Sequence, residues 1–262
     1  MIRVGSTFER TGAMKFLLKR LNVPFSLRII ARIIGLPFKP LGHRGDPLQP
    51  PLLRAITALG PAYIKFGQLL STRPDIVGDE IASELLVLQD SLPAFNKKTA
   101  IDIIEAELGA KINETFESLS EPKAAASLAQ VHKAVLKSDG MEVAVKVLRP
   151  GIEKAFLKDI DSFFFIARLS EVLAPSVRRL KPLKVIEHFK GIVLEELDLR
   201  MELAAAAEFK SNTEKDDEFT VPSVLWELST RRVMITEWVN GCLLYTSDAA
   251  DEGLGVDLGG RR

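Results

Sequence analysis

Cysteine occurs once in the 262 residues, at Cys242. That excludes a disulfide framework and a cysteine-rich zinc site. Histidine is nearly as scarce: His43, His132 and His188 stand far apart, form no ligand pair and read as structural. No run of roughly 18 uninterrupted apolar residues occurs, so no membrane-spanning helix is expected. The best stretch, Val23 to Phe38, carries Arg28 and Arg32 inside it. A net charge is missing too. Lys plus Arg and Asp plus Glu both total 35, so overall charge predicts no nucleic-acid binder. Neither G-x-x-x-x-G-K-[ST] nor H-E-x-x-H is found. What is present is 47% apolar and 27% charged, an ordinary globular balance for one large domain or two small ones.

The charge is unevenly spread. Residues 1–44 hold nine Lys or Arg and a single acid, Glu9. These cations are interleaved with Phe16, Leu17, Leu18, Leu21, Phe25, Ile29, Ile30, Ile33 and Ile34. A basic segment with an apolar face suits an anionic lipid surface. The interleaved residues are mostly aliphatic rather than stacking aromatics, which favours lipid over nucleic acid. A helical arm packed on the domain, its cations merely solvated, is one alternative. An Arg-rich, acid-poor transit peptide is another.

The other end breaks pattern. Residues 242–262 read CLLYTSDAADEGLGVDLGGRR, without apolar periodicity. CLLYTSDAADE resembles the translated adapter tails of assembled sequence data, so residues 242–262 are expected to be non-native and outside the fold.

Between the ends, Pro37, Pro40, Gly42, Gly45, Pro47, Pro50 and Pro51 mark a linker. Helical spacing follows over 57–73 and 79–92, and Asn96 is placed to cap a third helix ending near Gly109. The period then changes. Residues 128–137 alternate, Ser138-Asp139-Gly140 is a turn, and 142–148 are a Val-rich strand, together a hairpin. Helical spacing returns over 151–172 and 184–212, and Phe219–Trp226 and Arg232–Val239 read as strands. The expected class is α+β: a small antiparallel sheet carrying a helix, preceded by a helical extension. The organisation expected is an arm over 1–44, the extension over 45–112 and the sheet-bearing lobe over 113–241.

Few residues stand out for chemistry. Lys146 ends Val143-Ala144-Val145-Lys146 and shares a strand face with Ala144. In a nucleotide-binding lobe such a lysine holds phosphates, although most strand lysines are simply solvated. Ala124, Ala125, Ala126 and Ser127 lie at a bend where small residues let backbone amides approach phosphates; an Ala-rich helix start is the competing reading. Lys65 and Gln68 share one helix face, and Gly67 between them costs about 1 kcal/mol against Ala, which packing or function must offset. On a regular helix Glu195, Asp198 and Glu202 share a face. Glu196 lies nearly opposite Asp198, so those two can share a partner only if the helix breaks there. Thr236 to Gly241 end the last strand, where backbone groups could meet an adenine edge or simply enter a turn.

Taken in order, Lys65-x-Gly67-Gln68, Ala124 to His132, Val143 to Lys146, Glu196-Leu197-Asp198-x-x-x-Glu202 and Thr236 to Gly241 resemble the UbiB (ADCK-type) family of atypical protein-kinase-like proteins. Gly60-Pro61-Ala62-Tyr63, Leu88-Gln89-Asp90 and Lys146 to Gly151 agree, and the resemblance spans about residues 20–241. It implies a kinase-like N-lobe with a C-type helix, and ATP as ligand. Lys146 matches the nucleotide-binding lysine, with Glu202 as its carboxylate partner and Glu196 the runner-up. Ala124, Ala125, Ala126 and Ser127 match an Ala-rich phosphate loop. Lys65 and Gln68 match a signature pair covering the active site, and Glu196 and Asp198 the element contacting that cover. Glu237 and Val239 match hinge positions that hold adenine through their backbones.

The resemblance further implies ATP hydrolysis in support of ubiquinone biosynthesis, at the cytoplasmic face of a bacterial inner membrane or at a mitochondrial inner membrane. Its partners would be the lipid surface and quinone-biosynthesis proteins or lipid intermediates, with no nucleic acid. A non-catalytic membrane scaffold with structural nucleotide is the alternative. The catalytic-loop and metal-binding Asp residues of kinase-like enzymes do not follow Gly241. Mg²⁺ therefore has no expected ligand in this sequence, and the polypeptide as written is expected to be inactive as an ATPase.

Overall fold

Proline and glycine set most of the helix boundaries in the first part of the chain. The computed structural model describes residues 2–20, 40–89, 93–173, 175–216 and 220–240. The Val23–Phe38 stretch, with residues 21–39 of the proposed arm, and the 242–262 tail lie outside them. Helices α1 (Ile2–Thr11) and α2 (Ala13–Arg20) join at Gly12, whose φ is 86°. Ser6, Thr7 and Thr11 are buried on α1, and their hydroxyls return to carbonyls of the same helix at 2.6–2.9 Å. No polar cost is left at that interface. Arg10 donates to the carbonyls of Pro40 and Gly42, and Arg3 to that of Leu59. Two of the nine arm cations thus tie α1 to the protein, while Lys15, Lys19 and Arg44 are exposed.

Helices α3 (Pro51–Leu59) and α4 (Pro61–Ser71) each begin on proline, whose missing N–H costs nothing there. The short α5 (Pro74–Val77), α6 (Asp79–Leu86) and a 3₁₀ turn at Val87–Gln89 follow. Asn96 caps α7 (Lys97–Leu108) by accepting from the Lys98 N–H at 2.7 Å, and Gly109 ends it in the left-handed region, as the sequence predicts.

After a single turn, α8 (Ile112–Thr115), come the strands β1 (Phe116–Ala125), β2 (Ala129–Leu136), β3 (Glu142–Leu148) and, much later, β4 (Val233–Glu237). They form one antiparallel sheet in the order β1-β2-β3-β4. The Val143/Val145/Val147 alternation does what its period requires. All three are 0% exposed and pack with Val233 and Ile235 against Ile103 and Ile104 of α7. Ala144 and Lys146 therefore turn to the opposite face, with Lys146 level with Val131 and Met234.

Helices α9 (Ile152–Leu173), α10 (Pro182–Glu196) and α11 (Leu199–Asn212) leave the sheet after β3 and return to it before β4. A 3₁₀ segment, Pro175–Leu180, links α9 to α10. Aromatic rings lock α4, α9 and α10 together: Tyr63 and Phe163 have centroids 4.6 Å apart, Phe66 and Phe163 4.9 Å, and Phe66 and Phe189 5.2 Å.

The structure corrects two sequence-based expectations. Helical spacing over 184–212 belongs to two helices, broken at Leu197–Asp198. Asp198 leaves helical dihedrals and caps α11, and the Leu199 N–H donates to the Arg231 carbonyl instead of continuing α10. Phe219 lies outside the described residues, and of the expected Phe219–Trp226 strand the described residues 220–226 form one bridge, Val224 with Thr236, followed by a 3₁₀ turn at Trp226–Leu228. Hydrogen bonding there goes to single carbonyls, not to a ladder.

Candidate functional site

The face of β3 that α7 leaves uncovered carries Lys146. Its Nζ lies 2.6 Å from both carboxylate oxygens of Glu202, on the first turn of α11. Two elements hold this pair in place. Sheet register fixes the lysine, and burial of Leu199 and Leu203 fixes the face of α11 that carries Glu202. The helix break also sets the phase of α11, so Glu202 does not share a face with Glu195 as an unbroken helix would require.

A cleft of about 290 Å³ opens at this pair. Lys65, Ser127, Lys146, Glu196 and Glu202 line it, with Ala126, Leu128, Ala129, Leu148 and Leu199 supplying the rest of the wall. Lys65 reaches it from α4, and its Nζ is 2.5 Å from Glu196 Oε2. The edge-to-face contact of Phe66 with Phe189 brings those two helices within reach. Ala126 and Ser127 form the bend between β1 and β2, with the Ala126 N–H bonded to the Ala129 carbonyl at 2.8 Å. The N–H groups of Ser127 and Leu128 have no partner among the described residues. Ala124 and Ala125 belong to β1, where they pair with Val131 and Gln130. Two backbone donors at a bend beside a strand lysine have the chemistry of an anion seat.

Other candidates lie apart from that cleft. Gln68 donates to the Leu88 carbonyl at 2.7 Å and braces the 3₁₀ turn. Gly67 faces the same turn: a Cβ there would fall 2.4 Å from Leu88 Cδ1, which is the packing need behind this helical glycine. Asp198 is bound by Arg200, through Nε at 2.9 Å and NH2 at 2.6 Å, and the guanidinium holds its carboxyl below the usual range. It shares no partner with Glu196. Glu237 ends β4 with its carboxylate on the Ser223 N–H and hydroxyl, which depress its pKa, and its own N–H on the Ser223 carbonyl. Val239 is exposed, and its N–H has no partner among the described residues. Among the described residues no group of three or more His, Cys, Asp or Glu is placed to hold a metal ion.

The family model for the ABC1 atypical kinase-like domain matches residues 87–255. The chain belongs to the ABC1 atypical kinase-like family. Among curated relatives, the "Probable protein kinase UbiB" of Pseudomonas entomophila (strain L48) is 42% identical over 82% of this chain and 40% of that protein. That of Azotobacter vinelandii (strain DJ / ATCC BAA-1303) is 36% identical over 98% of this chain and 48% of that protein. The chain therefore spans less than half the length of these relatives. A solved structure, the Rv3197–erythromycin complex from Mycobacterium tuberculosis, aligns with a TM-score of 0.48 at 30% identity, over 70% of this chain and 45% of that one.

In this ABC1-type lobe the sequence assigns no role to Arg149 or Gln130, and its structural reading of His132 gains a specific form. Arg149 follows β3, and its guanidinium donates to the Ala126 carbonyl through Nε at 3.0 Å and NH2 at 2.9 Å, and to the Pro93 carbonyl at 2.8 Å. Gln130 and His132, both 0% exposed, form a buried polar chain. The Phe95 N–H donates to Gln130 Oε1 at 2.8 Å, Gln130 Nε2 meets His132 Nε2 at 2.9 Å, and His132 Nδ1 meets the Ser120 carbonyl at 2.9 Å. The carbonyl can only accept, so Nδ1 carries a proton; the Gln130 amide nitrogen can only donate, so Nε2 accepts and the ring bonded this way is neutral. Burial moves its pKa down. The signal for these roles is alternation: Gln130 and His132 stand on the strand face that buries Ala134 and Leu136.

Proposed function

We propose that the Lys146 cleft binds ATP, and that the chain is the nucleotide-binding part of an atypical kinase-like ATPase that supports ubiquinone biosynthesis at a membrane. The observation that carries this reading is the two-oxygen Lys146–Glu202 pair beside the Ala126–Ser127 bend. A lysine anchored by a carboxylate is oriented rather than free, and an oriented ammonium lowers the cost of placing phosphates. In this reading Lys146 contacts the α- and β-phosphates, the Ser127 and Leu128 N–H groups take phosphate oxygens, and the Val239 backbone meets the adenine edge. The carbonyl of Glu237 completes the hinge. Lys65 and Glu196 form the cover on the phosphate side. The donors present suit the nucleotide; Mg²⁺ is assigned no ligand among the described residues.

The membrane part rests on the basic arm. Lys15, Lys19 and Arg44 are exposed, as are Leu41 and Leu48. The address proposed is the cytoplasmic face of a bacterial inner membrane, with quinone-biosynthesis proteins or lipid intermediates as partners.

Titration calorimetry of the chain with ADP and ATP tests the cleft. Binding that Lys146→Ala weakens about tenfold, with the urea midpoint unchanged, is the expected result. A chain that ignores both nucleotides overturns the reading. Flotation with anionic vesicles, lost at high salt, tests the arm.

A further inference from the structure

Alanine at the phosphate bend raises a mechanical question. Gly-rich loops shape themselves around phosphates because glycine tolerates many backbone conformations, and alanine has less of that freedom. Ala126 and Ser127 must therefore be held in the receptive shape by something else.

The brace comes from behind the bend. Arg149 is absent from the cleft wall and lines a separate depression, with Glu153, Arg231 and Arg232. From there its guanidinium makes two bonds to the Ala126 carbonyl and one to that of Pro93. It lies over the Phe95 ring at 5.8 Å, and its backbone N–H takes the Leu128 carbonyl at 2.8 Å. The carbonyls on both sides of Ser127 are thus pinned by one residue. The Ala126 carbonyl and the Ser127 N–H belong to the same planar trans peptide, so they point in opposite directions. Drawing the carbonyl toward Arg149 turns the Ser127 N–H toward the cleft that Ser127 lines. It also takes a negative dipole away from where phosphate oxygens would sit.

We infer that Arg149 is a positioning residue that fixes the Ala126–Ser127 peptide for phosphate, and so sets the preference of the site for phosphorylated over unphosphorylated nucleosides. This rests on the nucleotide reading above. Lysine cannot replace it, because the planar fork donates in two directions at once and an ammonium does not hold that geometry.

The test is calorimetry of the whole chain with ADP and with adenosine. Arg149→Met should raise the Kd for ADP about tenfold and leave that for adenosine within about twofold. Arg149→Lys keeps the charge but not the fork, and should still weaken ADP about threefold. If Arg149→Met does not fold, Arg149→Lys alone carries the test. Equal losses for ADP and adenosine, or full rescue by lysine, would overturn the inference, since they would leave only general stability or net charge. Lys146→Ala separates the two levels. If it leaves ADP binding intact, or if the unmutated chain binds no ADP, the nucleotide reading fails and takes this inference with it.

Discussion

Lys65 and Glu196 form an ion pair at 2.5 Å on the wall of the cleft that Lys146 and Glu202 also line. The cleft therefore holds two ammonium and two carboxylate groups. An entering polyanion must compete with the carboxylates for both lysines. The first prediction follows from that competition. Glu196→Gln should strengthen ADP binding about threefold at low ionic strength, and Lys65→Ala should weaken it. Both effects should shrink as salt is added, because both side chains are partly exposed and screened. Calorimetry at two salt concentrations checks this. The opposite order would mean that the pair acts as a strut between α4 and α10 rather than as a counter-charge.

Asp198 lies two residues from Glu196, yet serves another purpose. Its carboxylate accepts from the Arg200 N–H at 3.2 Å and is gripped by the Arg200 side chain. Asp198→Ala should cost about 1 kcal/mol, the usual worth of an N-cap, and Asp198→Asn only part of that. Urea unfolding measures both. ADP affinity should stay within about twofold in each variant. A large affinity loss in a variant of unchanged stability would return Asp198 to the site.

Gly67 offers a packing test. Alanine there gains about 1 kcal/mol of helix propensity, but its methyl would meet buried Leu88 at 2.4 Å. Overpacking of that kind costs about 1–3 kcal/mol. Gly67→Ala should therefore destabilise on balance, and adding Leu88→Ala should cost less in that background than in the native chain. Additive losses in the double-mutant cycle would show that the glycine answers to something other than Leu88.

How much of this was legible in the sequence depended on the range of the interactions. The hairpin, the Asn96 cap and the Gly109 stop are local, and the chain wrote them in local signals. Val143 to Lys146 likewise placed the lysine on the face away from the valines by period alone. The α10–α11 break was not legible, because the apolar spacing of 184–212 runs straight through it. What ends α10 is an acceptor from far along the chain, the Arg231 carbonyl, together with the capping geometry of Asp198. β1 gave no alternation to read: it is an edge strand with Pro122 inside it and repeated register shifts. The brace on the phosphate bend was hidden for a related reason. Arg149 acts on Ala126 and Pro93, both distant in sequence, and its own neighbours say nothing about either.

The buried chain through Gln130 and His132 predicts a dependence on pH. Burial is the main force holding the His132 imidazole below its ordinary 6.5; Lys97 pushes the same way, while the bond to the Ser120 carbonyl and the Glu121 charge oppose it. The unfolded chain then binds more protons than the folded one once pH falls below about 6.5, so stability declines with falling pH in that window. Above it both states carry a neutral ring and the contribution is whole. The loss ends once pH has passed the depressed folded value. His132→Asn keeps a donor for the Ser120 carbonyl and removes the titrating ring. At neutral pH it should cost about 1–3 kcal/mol, because Gln130 Nε2 loses its buried acceptor. Its urea midpoint should then fall less steeply below pH 6.5 than that of the native chain. An acid limb of unchanged steepness in His132→Asn would show that the proton is taken up elsewhere, and that the ring between Gln130 and Ser120 is not what acid disrupts.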